Sequence, residues 1–382
     1  MTKPVYLDYN ATTPLDPEII DVMKPFFEEH FGNPSSTHWY GIIPKKAVQN
    51  ARNQVALLLN CKPEEIVFTS GGTESNNFAI KGVAQALRNK GKHIITSQIE
   101  HSAVLEVCGL LEKNGFETTY LPVDEYGLVN VLDVQKAIRP DTILISVMHA
   151  NNEVGTIQPI EKIAELAREY GIVLHTDAAQ SVGKIPAQVH ELGVDLLSIA
   201  GHKMYAPKGI GALYIRKSAA IERFHHGAGQ EMGLRAGTEN VLGIVGLGQA
   251  CKIAKNSLER NMKHMKKMRD MLHEGLKNRV ENIKLNGHPE KRLPNTLNLS
   301  FQGLEANRIL EEIGLEIAAS PGAACHSDKI DISHVLKAMG VHLGWAKGTL
   351  RFSTGRMTTG EEIDKAVRVI SEAANKLIKS GK

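Results

Sequence analysis

The stretch Asp195–Gly209, DLLSIAGHKMYAPKG, decides how this chain is read. Leu196, Leu197, Ile199 and Ala200 make a short apolar run ending at Gly201, which predicts a buried strand that gives way to a loop at Lys203. A lysine held at such a strand end is poorly solvated. Desolvation disfavours its ammonium form, and a neutral amine adds to an aldehyde to form a Schiff base. From His202 and Lys203 alone, a lysine in a surface loop explains the residues more simply, so other segments must supply the rest of a site.

Several segments repeat the arrangement. EIVFTSGGTESNNFAIKGVAQAL (65–87) reads as strand, glycine turn and helix. Gly71 and Gly72 let the backbone approach a ligand closely, while Thr73 and the first helical amides point donors at an anion such as phosphate. A tight turn with a threonine cap accounts for the same residues equally well. HIITSQIEHSAVLEV (93–107) sets His101 near the opening of a helix, where packing or capping is the commoner role. TILISVMHANNEVGTIQPI (142–160) places Asn151 and Asn152 just after an apolar strand, and GIVLHTDAAQSVG (171–183) does so for Asp177 and Gln180. Strands buried on both faces and alternating with helices predict a parallel, doubly wound sheet. Such sheets bind ligands outside the carboxyl ends of their strands. Thr73, His101, Asn152, Asp177, Gln180 and Lys203 all fall at or just beyond those ends.

The arm YLDYNATTPLDPEI (6–19) is short and turn-rich, with Asn10 ahead of Thr12 and Thr13. FGNPSSTHWYG (31–41) interrupts a helical pattern that otherwise runs from Asp16 to about Leu59. GAGQEMGLRAGTEN (227–240) is a glycine-rich polar loop, and the chain then looks helical from Val241 to Arg279. In that helix Met262, Met265, Met268, Leu272 and Leu276 form an apolar stripe opposite a solvated lysine face. TLNLSFQG, GLEIAAS and TLRFSTGR predict a second, smaller α+β domain. The expected division is a large domain at 16–250 and a small one made of 1–15 and 251–382, carrying a cysteine loop at about 318–333.

Composition excludes several classes. The chain has 382 residues, of which 42% are hydrophobic and 23% charged, and this suits a globular protein with a large core. A net charge of +3 from 45 basic and 42 acidic residues, without a basic stripe, argues against nucleic acid as a partner. No apolar run approaches the ~18 residues of a membrane span, and the N-terminus lacks the apolar core of a signal peptide, so a cytoplasmic location without a membrane partner is expected. Cys61, Cys108, Cys251 and Cys325 form no CxxC pair, which argues against a structural zinc site or a disulfide framework. The first three suit small core hydrophobes. Cys325 differs, because it lies in the small-residue and polar segment ASPGAACHSDKID (319–331), read as an exposed loop.

Taken together, YLDYNATTP, FGNPSS, FTSGGTESNN, Glu100–His101, HANNEVG, HTDAAQ, GHKMYAPKG, RAGTEN, GAACHS and RFSTGR resemble the cysteine desulfurase and selenocysteine lyase family of fold-type I pyridoxal 5'-phosphate (PLP) enzymes. The motifs span nearly the whole chain in the family's order. The resemblance implies an α/β, aspartate aminotransferase-like fold with a large, mainly parallel sheet domain and a smaller α+β domain. It implies that Lys203 carries PLP and moves a proton, that Asp177 pairs with the ring nitrogen, that Gln180 bonds the ring hydroxyl and that His101 stacks on the ring. Gly72, Thr73, His202 and, from a second copy in a homodimer, Thr238 would hold the phosphate. Arg351, Asn152 and Asn10 would hold the substrate carboxylate. Cys325 would take sulfur from L-cysteine as a persulfide, with L-alanine as the other product, for an acceptor or iron-sulfur scaffold protein. A protonated His326 beside it would favour the thiolate, although a solvent-facing His326 fits the segment as well.

One departure stands out. Many of these enzymes carry serine three residues before the lysine as a phosphate ligand, and here that position is Ala200. Weaker PLP retention is expected. Ala200 and GAACHSD also resemble selenocysteine lyases, which keeps L-selenocysteine as an alternative substrate. Two further readings remain: a catalytically silent iron-sulfur assembly scaffold with Cys325 as a ligand, no other metal site being expected, and an ordinary PLP aminotransferase.

Overall fold

The computed structural model describes residues 3–326 and 329–380, the side chains of 323–331 excepted. The strand signals assemble into a seven-stranded sheet. Its order is Ile66–Thr69, Gly211–Ile215, Leu196–Ala200, Val173–Asp177, Thr142–Ser146, His93–Ser97 and Glu117–Leu121. All strands share one direction except Gly211–Ile215, which pairs antiparallel on both sides. The physical reason is the short link at 201–210. A parallel return needs a crossover of a dozen or more residues, so the chain can only turn back.

Along most strands, successive residues feed different cores. Leu197, Ile199, Phe68 and Tyr214 join one cluster with the helices Trp39–Leu59, Ile160–Glu169 and the first half of Val241–Lys277. Leu196, Val67 and Leu213 join the other, under the helices Gly72–Ala86 and Ser102–Lys113. The sheet is therefore covered on both faces, as the continuous apolar runs require.

Helix Val241–Lys277 opens on Asn240, whose side chain accepts a bond from Gly243 N at 3.1 Å. Gly248 lets it press against Trp39–Leu59, since a Cβ there would stand 2.6 Å from Ala51 Cα. Its second half leaves the large core. Met268, Leu272 and Leu276 belong to a separate cluster under an antiparallel four-stranded sheet, ordered Ser320–Pro321, Thr349–Ser353, Thr296–Phe301 and Ile283–Asn286. The boundary expected near residue 250 thus falls within one unbroken helix. Leu272 is fully buried, so Leu272→Ala is expected to cost about 2–5 kcal/mol.

The N-terminal arm pairs Val5–Tyr6 in parallel with Ile317–Ala318, then bridges Asp8 in parallel to Ser353 of the small sheet. The glycine-rich loop at 227–240 is anchored by a buried pair in which Arg52 donates to both oxygens of Glu231, at 2.7 and 2.6 Å. Around Cys325 the backbone forms an antiparallel hairpin, Ala323–His326 with Lys329–Ile332, where sequence suggested a loop. The alternation Lys-Ile-Asp-Ile at 329–332 suits a strand, a period that the polar composition hides. No helix among the described residues is long and apolar enough to cross a membrane.

Candidate active site

A cavity of about 300 Å³ opens beyond the carboxyl ends of the parallel strands. Gly72, Thr73, His101, Asn152, Asp177, Gln180, His202, Lys203, Asn10 and Arg351 all line it. Thr238 does not line it and is exposed on the glycine-rich loop. The Cys325 and His326 side chains lie outside the described residues.

Lys203 closes the single 3-10 turn Gly201–Lys203 that directly follows strand Leu196–Ala200. Its Nζ donates to Asn10 O at 2.6 Å and Ala11 O at 2.7 Å. Burial lowers its pKa to about 8, helped by the Arg351 charge and opposed by Asp8 and Asp177. A neutral amine is therefore accessible near neutral pH. Neighbouring His202 is lowered to about 4 by burial and by Lys203, Lys208 and Lys184, so it is a neutral ring bonded to Thr12 Oγ1 at 3.2 Å.

Asp177 ends its strand and is aimed from two sides. Asn76 Nδ2 donates to Oδ2 at 2.7 Å and Ala179 N donates to Oδ1 at 2.9 Å. Asn76 was not singled out in the sequence, although it follows Gly72 by one helical turn and so shares its face. His101 is the N-cap of helix Ser102–Lys113 and accepts from Ala103 N through Nδ1 at 3.1 Å. With Nδ1 an acceptor, the ring proton sits on Nε2. Helix Gly72–Ala86 is capped by Gly71 at φ 150°, which places Thr73 inside the first turn rather than at the cap. The first amides of that turn have no partner within the helix and are open to an anion.

The opposite side comes from the arm and the small sheet. Asn10 Nδ2 bonds Thr296 Oγ1 at 2.8 Å and Asn152 O at 3.1 Å. Arg351, on strand Thr349–Ser353, donates through Nη2 to Asp8 Oδ1 at 2.8 Å and Ser320 Oγ at 3.1 Å, and through Nη1 to Asn152 O at 3.2 Å. Its Nε is buried and has no hydrogen-bond partner among the described residues. Asp8 was also missed from sequence, since only the fold brings it to Arg351.

The family model for aminotransferase class-V matches residues 5–366. This chain belongs to that family. Among curated relatives of this class-V chain, cysteine desulfurase IscS of Dictyoglomus turgidum is 51% identical over 99% of the chain and 96% of the relative. Cysteine desulfurase IscS of Methanosarcina thermophila is 50% identical over 98% of the chain and 93% of the relative. Among solved structures, a NifS-like protein matches with a TM-score of 0.91 at 41% identity, over 97% of this chain and 98% of that one. SspA in complex with cysteine matches with a TM-score of 0.83 at 39% identity, over 94% and 100%.

Class-V chains depend on PLP, and the cavity fits that group on its own terms. It pairs a lysine of lowered pKa with a buried, oriented carboxylate and a helix N-terminus. The floor is small: a Cβ on Gly72 would stand 3.3 Å from Ala200 Cβ and 3.9 Å from Ala179 Cβ. A flat ring needs that space.

Proposed function

We infer that this chain is a PLP-dependent cysteine desulfurase that converts L-cysteine to L-alanine and leaves sulfur as a persulfide on Cys325 for an acceptor. The supporting observation is that Lys203, Asp177 and Arg351 converge on one cavity in a chain about half identical, almost end to end, to relatives named cysteine desulfurase.

PLP, when bound, supplies an electron sink for charge developing at the substrate Cα. The protein's own groups do the rest. Lys203 anchors the cofactor, and once displaced its neutral amine removes the Cα proton, which its lowered pKa favours. Asp177, oriented by Asn76, would pair with the ring nitrogen, and Gln180 would bond the ring oxygen. The Gly72–Thr73 amides, His202 and Thr238 of a second copy would hold the phosphate. Arg351 takes the substrate carboxylate beside Asn10 and Asn152, which line the same cavity. His101, which lines the cavity, would stack on the ring and help to move protons there. At Cys325 the substrate's carbon–sulfur bond breaks and a sulfur–sulfur bond forms. Cysteine plus the enzyme thiol gives alanine plus the persulfide, so atoms balance without an oxidant.

On this reading the enzyme is a cytoplasmic homodimer that delivers sulfur to an acceptor or iron-sulfur scaffold protein. Ala200 and the GAACHSD segment keep L-selenocysteine as a second substrate to test. The deciding assay measures L-alanine from L-cysteine and from L-selenocysteine, with wild type and Cys325→Ala. Alanine from cysteine that vanishes in Cys325→Ala is expected. Alanine only from selenocysteine makes the chain a selenocysteine lyase, and a protein that stays colourless with added PLP makes it a silent scaffold.

A further inference from the structure

One buried amine takes no part in the chemistry above. Lys184 is 5% exposed and follows Gln180 by one turn of the tight segment after Asp177. The sequence signal is a lone lysine in the small-residue run DAAQSVGKIPA, four positions after Gln180. Gly183, at φ 77°, lets the chain turn there.

Lys184 Nζ donates to Gln180 Oε1 at 2.7 Å and to Asn10 Oδ1 at 3.4 Å. Among the described residues it has no carboxylate ion pair. Burial pushes its pKa well down, reinforced by Lys203 and Arg351, with His202 the other titratable group that feels it. Whether charged or neutral, Nζ has N–H groups to give. Two amide oxygens receive them, so Gln180 must turn its NH2 the other way. One of those N–H groups goes to Asn10 O at 2.9 Å, which leaves the second for the cavity that Gln180 lines. Asn10 O also receives Lys203 at 2.6 Å. Lys184 therefore stands one hydrogen bond behind the groups that meet the cofactor.

We propose that Lys184 is a positioning residue: by holding Gln180 Oε1 it keeps the Gln180 N–H turned into the cavity, so that PLP's ring oxygen meets a donor and is held deprotonated. The proposal rests on the reading that PLP binds here with its ring oxygen at Gln180. Without Lys184, Gln180 keeps only its bond to Asn10 O, and rotation presents the ring oxygen with an acceptor or with nothing.

The test uses the full chain loaded with PLP, without substrate, and reads the pH midpoint of its visible absorption band. Lys184→Met and Lys184→Leu, which retain no donor, raise the midpoint by about one pH unit, the scale of one lost hydrogen bond to a charged group. Lys184→Gln, which retains an N–H donor, stays within about 0.3 units of wild type. In a Gln180→Ala background, Lys184→Met adds no further shift, because the two act as one unit. An equal shift in both backgrounds, or none in either donor-less variant, overturns the role for Lys184. Wild type that takes up no PLP overturns the underlying reading as well, and so the two failures are distinguishable. Melting curves of each variant verify that the compared proteins are folded, and two donor-less variants keep the comparison open if one does not fold.

Discussion

The two walls of the cavity are built differently. Gly72, Asp177 and Lys203 sit at or just past neighbouring ends of one sheet, each placed by the strand or helix that carries it. Asn10 and Arg351 face them from the arm and the small sheet, and are placed by bonds across the sequence: Asn10 to Thr296, 286 residues away, and Arg351 to Asp8, 343 away. The first wall is set by secondary structure and the second by tertiary hydrogen bonds. On the proposed function, the difference corresponds to a division of labour, with cofactor chemistry on the sheet side and substrate capture on the assembled side.

The harshest test of that division is Lys203→Ala. Loss of the anchor and of the proton-moving amine is expected to cut alanine formation by at least about 10³-fold. Retention of more than a tenth of the wild-type rate sinks the assignment. On the assembled wall, Arg351→Lys keeps the charge but loses the fork geometry. KM for L-cysteine should rise roughly 10- to 100-fold with PLP affinity unchanged. A loss of PLP affinity instead would erase the distinction between the walls.

A smaller effect concerns stability. The Lys203 pKa falls to about 8 in the folded protein, below the ordinary ~10.4. Between those values the unfolded chain binds more protons, so wild-type stability rises with pH across that window, and the full penalty is present below it. Lys203→Met, without PLP, should therefore unfold at higher denaturant at pH 7, by on the order of 1–2 kcal/mol, with the gap narrowing toward pH 10.4. A gap that does not change with pH would show that burial of the amine is not its source.

Smallest is Ala200→Ser on the sheet wall. One added hydroxyl beside Gly72 should tighten PLP binding several-fold, the scale of one hydrogen bond. Equal affinities in a fluorescence titration would remove the idea that Ala200 weakens retention.

The sheet wall was legible because its signals are local. An apolar run ending in Gly201, and glycines before a helix, mark strand ends wherever they occur, and strand ends are where such sheets bind ligands. Lys203, Asp177, Thr73 and His101 could be picked out on that ground. Thr73 as a cap could not be decided in advance, because Gly71 competes for the position and holds it. Arg351 and Asn10 entered only through resemblance, and their partners Asp8 and Thr296 were invisible, since no local pattern tells one polar residue that it will meet another hundreds of positions away. The hairpin around Cys325 was hidden by its small, polar composition.

By itself the sequence determined the periodicities: which segments are strands buried on both faces, where each stops, and that a lysine follows one of them. These depend on hydrophobic burial and backbone geometry over a few residues. Only the tertiary structure decided that Gly211–Ile215 runs against its neighbours, that one helix serves both cores, and that Lys184 lies behind Gln180 while Arg351 is held by Asp8. Those outcomes depend on buried polar groups finding partners from distant parts of the chain, and such pairing is settled only when the whole chain has packed.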